Sequence, residues 1–212
     1  MLGKFITFEG PEGSGKSTQI RLLVERLEAE GVAVVQSREP GGTSTGEAIR
    51  ELLQHDAAGE PLGDRSELLL FTASRAQLMD RIILPALENG AWVLCDRFID
   101  STMAYQGFAR GMDLATLEAI NAFAIRGRKP DLTLLLDLNV EAGFRRLDER
   151  YAKGAETHDR FEQEGNDFHT RVRDGYHALV EREPARFRVI NADRSIDEVS
   201  ADVWNAVKEA LL

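Results

Sequence analysis

The sequence predicts an α/β fold, an open sheet of five parallel strands with helices on both faces. Two observations predict it. Five short apolar runs recur along the 212 residues, and each is near-continuous, as in strands covered on both sides. Between them lie longer stretches whose apolar residues recur at helical spacing. Alternation of this kind selects a parallel sheet with helical crossovers, whose ligands bind beyond the carboxyl ends of the strands.

The elements follow in order. Phe5–Phe8 reads as the first strand, and Ile20, Leu23, Val24 and Leu27 mark one face of the helix after it. Val32–Val35 reads as the second strand, and the polar stretch from Gln54 to Asp64 as a loop between helices. Ala91–Cys95 and Leu132–Leu136 read as the third and fourth strands, Tyr151 to His158 as a mobile segment, and Phe187–Ile190 as the fifth strand. Val199, Val203, Val207 and Leu211 mark a C-terminal helix. With no internal repeat, low-complexity tract or linker, residues 1–212 read as a single domain.

Hydrophobic residues at 43% and charged residues at 29% are ordinary for a globular protein. A net charge of -10 argues against a general nucleic-acid binder, although a few arginines can make a local anion pocket on an acidic body. The one cysteine, Cys95, allows no intramolecular disulfide, which points to a reducing compartment. The N-terminus lacks a signal-like apolar stretch, and no run reaches the roughly 18 apolar residues of a membrane span. The expectation is a cytoplasmic protein with no membrane partner.

Gly10-Pro11-Glu12-Gly13-Ser14-Gly15-Lys16-Ser17 satisfies the phosphate-binding pattern G-x-x-x-x-G-K-[ST] in full, between a strand and a helix as that pattern requires. The three-layer fold is therefore that of P-loop nucleotide-binding proteins. The glycines let backbone N–H groups converge on phosphate oxygens, and the helix starting near Lys16 adds its positive end. Residues Gly10 to Thr18 form the expected phosphate cradle, in which Lys16 reaches the β- and γ-phosphates and Ser17 ligates Mg²⁺. Asp96, at the carboxyl end of the third strand, reads equally as a Mg²⁺ carboxylate or a helix N-cap. The adjacent Arg97, an anion clamp, tips the balance toward the metal. These features alone establish Mg-NTP binding and leave the reaction open.

Further signatures narrow the reading: Phe8-Glu9-Gly10, Arg38-Glu39-Pro40-Gly41-Gly42-Thr43, Phe71-Thr72-Ala73-Ser74-Arg75-Ala76-Gln77, Asp96-Arg97-Phe98, Ala104-Tyr105-Gln106-Gly107, Arg128-Lys129-Pro130-Asp131 and Asp159-Arg160-Phe161-Glu162-Gln163. In this order, and nearly from end to end, the chain resembles bacterial thymidylate kinases. The resemblance implies phosphoryl transfer from ATP to dTMP, with Mg²⁺, in a homodimer. It implies that Phe71 stacks on thymine and that Arg75, one turn later on the same helix face, reaches a base carbonyl. By the same resemblance, Tyr105 is expected to pack on the sugar, Thr102 and Gln106 to lie near the base, and Arg97 and Arg50 to meet the acceptor phosphate. Glu39 is similar to the family residue that closes the acceptor site, and Glu12 to the carboxylate that binds the 3′-hydroxyl.

Phosphoryl transfer also needs a cation for the charge developing on the transferred group. No arginine lies between Gly10 and Lys16. The resemblance is therefore to the branch that supplies one from a mobile lid at about residues 145–160, with Arg150 the first choice and Arg146 the second. A GTPase switch would offer Asn-Lys-x-Asp and Asp-x-x-Gly. The chain has no Asn-Lys-x-Asp, and it carries Asp96-Arg97-Phe98-Ile99 where Asp-x-x-Gly would stand. A kinase for another nucleoside monophosphate is the nearer rival. His55, His158, His169 and His177 show no metal spacing, and Cys95, Trp92 and Trp204 read as core.

Overall fold

The computed structural model describes residues 3–54, 59–152, 154 and 159–212. Parts of the loop expected at Gln54–Asp64 and of the lid expected at about 145–160, including His55 and His158, lie outside the described residues.

Five strands form one parallel sheet: β1 (Phe5–Glu9), β2 (Val34–Arg38), β3 (Trp92–Asp96), β4 (Leu132–Asp137) and β5 (Phe187–Asn191). Their order is β2-β3-β1-β4-β5, with β1 at the centre. The period-2 geometry of a strand sorts side chains onto two faces. Ile6, Phe8, Trp92, Leu94, Leu132, Leu134 and Leu136 pack under α1 (Lys16–Ala29) and α9 (Ile196–Leu211). On the other face, Phe5, Val93 and Cys95 meet the long element α3 (Asp64–Leu78), which runs through a π-helical turn at Met79–Ile83 into α4 (Leu84–Glu88). Leu135 and Phe187 meet the residues around α6 (Leu114–Ala124) and α8 (Asn166–Arg182). The expected five-stranded sheet with helices on both faces is present.

The second strand differs from expectation. Val32 belongs to the end of α1, because its N–H donates to the Leu27 carbonyl at 3.0 Å while Gly31 (φ 80) donates to Glu28 at 2.9 Å. This double closure over a left-handed glycine is a helix stop, so β2 begins two residues later and runs on to Arg38. It is an edge strand, with Gln36 and Arg38 exposed rather than covered on both faces.

Three further helices complete the carboxyl-end rim: α2 (Ser44–Gln54), the short α5 (Ile99–Thr102), and α7 (Val140–Tyr151). α5 continues into a second π-helical stretch, Met103–Ala109. Single π turns inside helices recur at functional sites, and this one carries Tyr105 and Gln106.

Candidate active site

One end of the site is built on the turn between β1 and α1. Gly10 adopts φ 142, and a Cβ there would stand 2.4 Å from the Leu136 carbonyl oxygen on β4, so the turn admits only glycine. Gly15 (φ 87) leads into α1, whose first N–H groups face the cradle. The buried Lys16 Nζ donates to the carbonyls of Gly10 (3.1 Å) and Pro11 (3.0 Å) and to Ser14 Oγ (3.3 Å). Burial, and then the charge of Arg97, pull the Lys16 pKa below its ordinary value.

The pairing of Phe8 with Asp96 in the β1–β3 register brings the ends of both strands together. Ser17 Oγ accordingly donates to Asp96 Oδ2 at 3.0 Å. Asp96 closes β3, whereas the cap position of α5 is Phe98, so the helix-cap alternative for Asp96 fails. A hydroxyl and a carboxylate oxygen in contact suit a hard cation that keeps several waters and takes phosphate oxygens, as Mg²⁺ does. Among the described residues no group of three or more His, Cys, Asp and Glu could hold a metal unaided.

Arg97 follows in the left-handed region, at φ 67. A non-glycine residue there costs about 1–3 kcal/mol and persists only when its surroundings impose it. Here its N–H donates to the Phe8 carbonyl at 2.9 Å, and its guanidinium donates to Glu12 Oε1 at 2.5 Å, the Gly10 carbonyl at 3.2 Å and Tyr176 Oη at 3.2 Å. The guanidinium also lies 5.2 Å from the centre of the Tyr105 ring. Tyr105 Oη donates to the same Glu12 oxygen at 2.7 Å. Burial pushes the Glu12 carboxyl up, but Arg97 and then Lys16 outweigh it and bring the pKa to about 2.

Beneath Arg97, the fully buried Glu9 receives the N–H of Phe98 (2.8 Å) and the hydroxyls of Ser101 (2.6 Å) and Tyr176 (2.8 Å). Burial and the charge of Asp100 push Glu9 up to about 7. Glu9, Ser101 and Tyr176 thus fix the loop that presents Arg97. None of the three carries a signal in the sequence beyond Glu9 standing before Gly10, since Tyr176 reaches the site from a helix more than 160 positions away.

At the other end Phe71 and Arg75 lie on α3 one turn apart and line the same cavity. Arg75 is 1% exposed, so it is no solvated surface charge. Its Nε and one terminal nitrogen hold Glu39. The other terminal nitrogen donates to Thr102 Oγ1 (2.9 Å) and Asn121 Oδ1 (2.7 Å), and the Phe98 carbonyl takes a further bond at 3.1 Å. All five N–H donors of the guanidinium are therefore engaged. Burial pushes the Glu39 carboxyl up despite Arg75. Arg50, half-buried on α2, donates to the Pro40 carbonyl at 3.0 Å beside Arg38. Asn121, which escaped sequence reasoning, sits mid-helix on α6 with nothing in its neighbours to mark it.

α7 closes the wall over the cradle. Gly143 packs backbone to backbone on the P-loop: a Cβ on Gly143 would lie 2.3 Å from the Glu12 carbonyl oxygen, and one on Gly13 would lie 2.3 Å from the Gly143 carbonyl oxygen. Residues three and seven positions on share that helix face, so Arg146 and Arg150 line the cavity. Arg146 donates to the Gly13 (3.4 Å) and Ala192 (3.0 Å) carbonyls. Arg150 is the freer of the two, with its side chain 58% exposed, 3.1 Å from Tyr151 Oη and 3.5 Å from Glu162. Arg145 is exposed and does not line the cavity.

One cavity of about 430 Å³ unites these ends. Every residue expected in the site lines it except Gly10 and Pro11, whose carbonyls instead receive Lys16. Phe161 completes the wall, 5.6 Å from Phe71 and 6.1 Å from Tyr105 between ring centres. Away from the cavity, His177 lies 3.3 Å from Asp137 and the buried His169 faces the Phe161 carbonyl at 3.1 Å. Cys95 is buried and burial raises its thiol pKa, which fits a core residue and not a nucleophile. Trp92 and Trp204 lie in the core as expected.

Comparison with known proteins agrees with this geometry. A family model described as thymidylate kinase matches residues 8–203. A thymidylate kinase from Pelotomaculum thermopropionicum is 51% identical over 211 residues, covering 100% of this chain and 95% of that protein. One from Chromohalobacter salexigens is 50% identical, covering 99% and 97%. The crystal structure of thymidylate kinase from Ehrlichia chaffeensis superposes with a TM-score of 0.79 at 36% identity, covering 98% of this chain and 100% of that one.

Proposed function

Because the chain belongs to the thymidylate kinase family and phosphorylates dTMP with ATP, we propose that the transfer runs across the one cavity, with the donor at the P-loop and the acceptor between α3 and the Met103–Ala109 stretch. The observation that carries this reading is that Lys16, Arg97 and Phe71 line the same 430 Å³ space. The chain acts as a single domain, and α7 with the residues that follow it serves as the lid over ATP.

Lys16 leaves the Gly10 and Pro11 carbonyls for the β- and γ-phosphates, while the P-loop amides cradle them. Ser17 and Asp96 would hold Mg²⁺, which would neutralise negative charge on the ATP phosphates. Arg97 and Arg50 hold the acceptor phosphate in line. Phe71 stacks on the base and Tyr105 packs on the sugar. Glu12 has taken both Arg97 and Tyr105 on Oε1, and offers its other oxygen to the 3′-hydroxyl. Thr102 and Gln106 border the base. Arg75, clamped by Glu39, meets a base carbonyl by exchanging its bond to Thr102 or Asn121. Arg150 meets the charge that develops on the transferred group.

Support for a homodimer comes from Leu69 on α3 and Phe123 on α6, which are 59% and 85% exposed on two helices that touch each other. The lone buried thiol supports a reducing, cytoplasmic setting. No helix among the described residues is long and apolar enough to cross a membrane. The test of the division of labour is Lys16→Met: we expect turnover to fall by about 100-fold or more while dTMP still binds in a calorimetric titration. Loss of dTMP binding in that variant would refute separate donor and acceptor ends.

A further inference from the structure

Glu67 lies on α3 one turn before Phe71, is fully buried, and does not line the cavity. Its carboxylate nevertheless receives four N–H bonds from three side chains, two of them on the Met103–Ala109 stretch and its cap. Gln106 Nε2 donates to Oε1 at 2.8 Å, Arg110 donates to Oε1 at 2.9 Å and to Oε2 at 3.1 Å, and Arg160 donates to Oε2 at 2.6 Å. A carboxylate accepts about four such bonds, so this one is saturated and has no capacity left for chemistry.

Two of those donors belong to the acceptor end of the cavity. Gln106 lines it directly. Arg160 precedes Phe161, lies 4.6 Å from the centre of its ring, and carries that ring to Phe71 and Tyr105. The Arg160 segment is otherwise tied to the end of α2, through Arg160 to the Leu53 carbonyl (3.0 Å) and Gln54 to Asp159 (3.1 Å).

We propose that Glu67 is a positioning residue for acceptor binding: it seats the Arg160–Phe161 segment as the third aromatic wall of the base pocket and fixes the Gln106 amide beside it. The carboxylate compels Gln106 to turn its NH₂ inward, since its carbonyl oxygen there would face a negative charge. The proposal rests on the reading that Phe71, Tyr105 and Gln106 receive dTMP.

Arg160→Met carries the test, because Arg110, which also pairs with Glu164, still donates to both Glu67 oxygens and the methionine stem still covers Phe161. Loss of one charge-assisted hydrogen bond corresponds to about a tenfold effect. We expect the KM for dTMP to rise by that factor, with KM for ATP within about twofold and kcat less affected. Arg160→Lys, which can make one of the two bonds, should recover part of the loss. Glu67→Gln combined with Arg160→Met should be no worse for dTMP than the worse single variant, as two members of one network are not additive. A purely structural role would lower the thermal midpoint in all three variants and leave KM for dTMP unmoved, which overturns the proposal. Phe71→Ala run in parallel separates the two levels: if it leaves KM for dTMP unchanged, the reading of the pocket falls, and this proposal with it. If it weakens dTMP while Arg160→Met does not, this proposal alone falls.

Discussion

Arg97 holds a left-handed backbone, an ion pair with Glu12 and a bond to the Gly10 carbonyl at once, which ties the proposed acceptor clamp to the P-loop through single side chains. The Glu12 carboxyl is therefore a pH-dependent element of the native state. Its folded pKa of about 2 lies below the ordinary 4.5. A depressed carboxyl contributes stability above its unfolded pKa and loses it as pH falls through the folded value. The stability gap between the parent and Glu12→Gln should then be full at pH 6, up to about 3 kcal/mol, and shrink steadily between pH 4.5 and 2. Urea titrations across that range check it, and a gap that does not change with pH would refute it. For the transferred charge, Arg150→Ala should lose most turnover, about 100-fold or more, with ATP affinity little changed. Arg146→Ala, which frees the Gly13 carbonyl in the P-loop and the Ala192 carbonyl after β5, should instead weaken ATP. Near-normal turnover in Arg150→Ala would move the role to Arg146.

Among the elements, α7 has its register set by the Gly13–Gly143 contact, which aims Arg146 and Arg150 at the cradle. Gly143→Ala forces a methyl onto backbone that cannot move aside, an overpacking of about 1–3 kcal/mol. We expect the helix to shift and turnover to drop by about tenfold or more while far-ultraviolet circular dichroism is retained; unchanged turnover would show that the contact does not set the arginines. This contact also shows where sequence reasoning stops. The P-loop was legible because its glycines, lysine and serine are local and obligatory, and the strands because parallel strands read as apolar runs. The start of β2 was misplaced because Val32 extends an apolar run while its N–H closes a helix over Gly31. Glu9, Glu67, Asn121 and Tyr176 were not legible as site residues, because each acts through partners that only the folded chain brings near.

At the scale of the whole molecule the two halves of the sheet are joined beneath the site. Asp100 at α5 and Arg186 ahead of β5 form a buried bidentate pair at 2.7 and 2.9 Å, 2% and 9% exposed. Arg186→Met leaves the carboxylate buried without its partner, and breaking such a pair costs about 3–5 kcal/mol, to be read as a lower urea midpoint. A midpoint equal to the parent's would show the pair to be dispensable. On the proposed reading, the same assembly of β1, β3 and α3 makes the acceptor pocket of Phe71 and Arg75 with Thr102 and Tyr105, two segments 27 positions apart at their nearest, and the choice of acceptor is what that pocket would decide. The most direct test is steady-state turnover with Mg-ATP against a panel of dTMP, dUMP, AMP and UMP. The account predicts the highest kcat/KM for dTMP, whereas a value for dTMP no greater than that for AMP or UMP would contradict it.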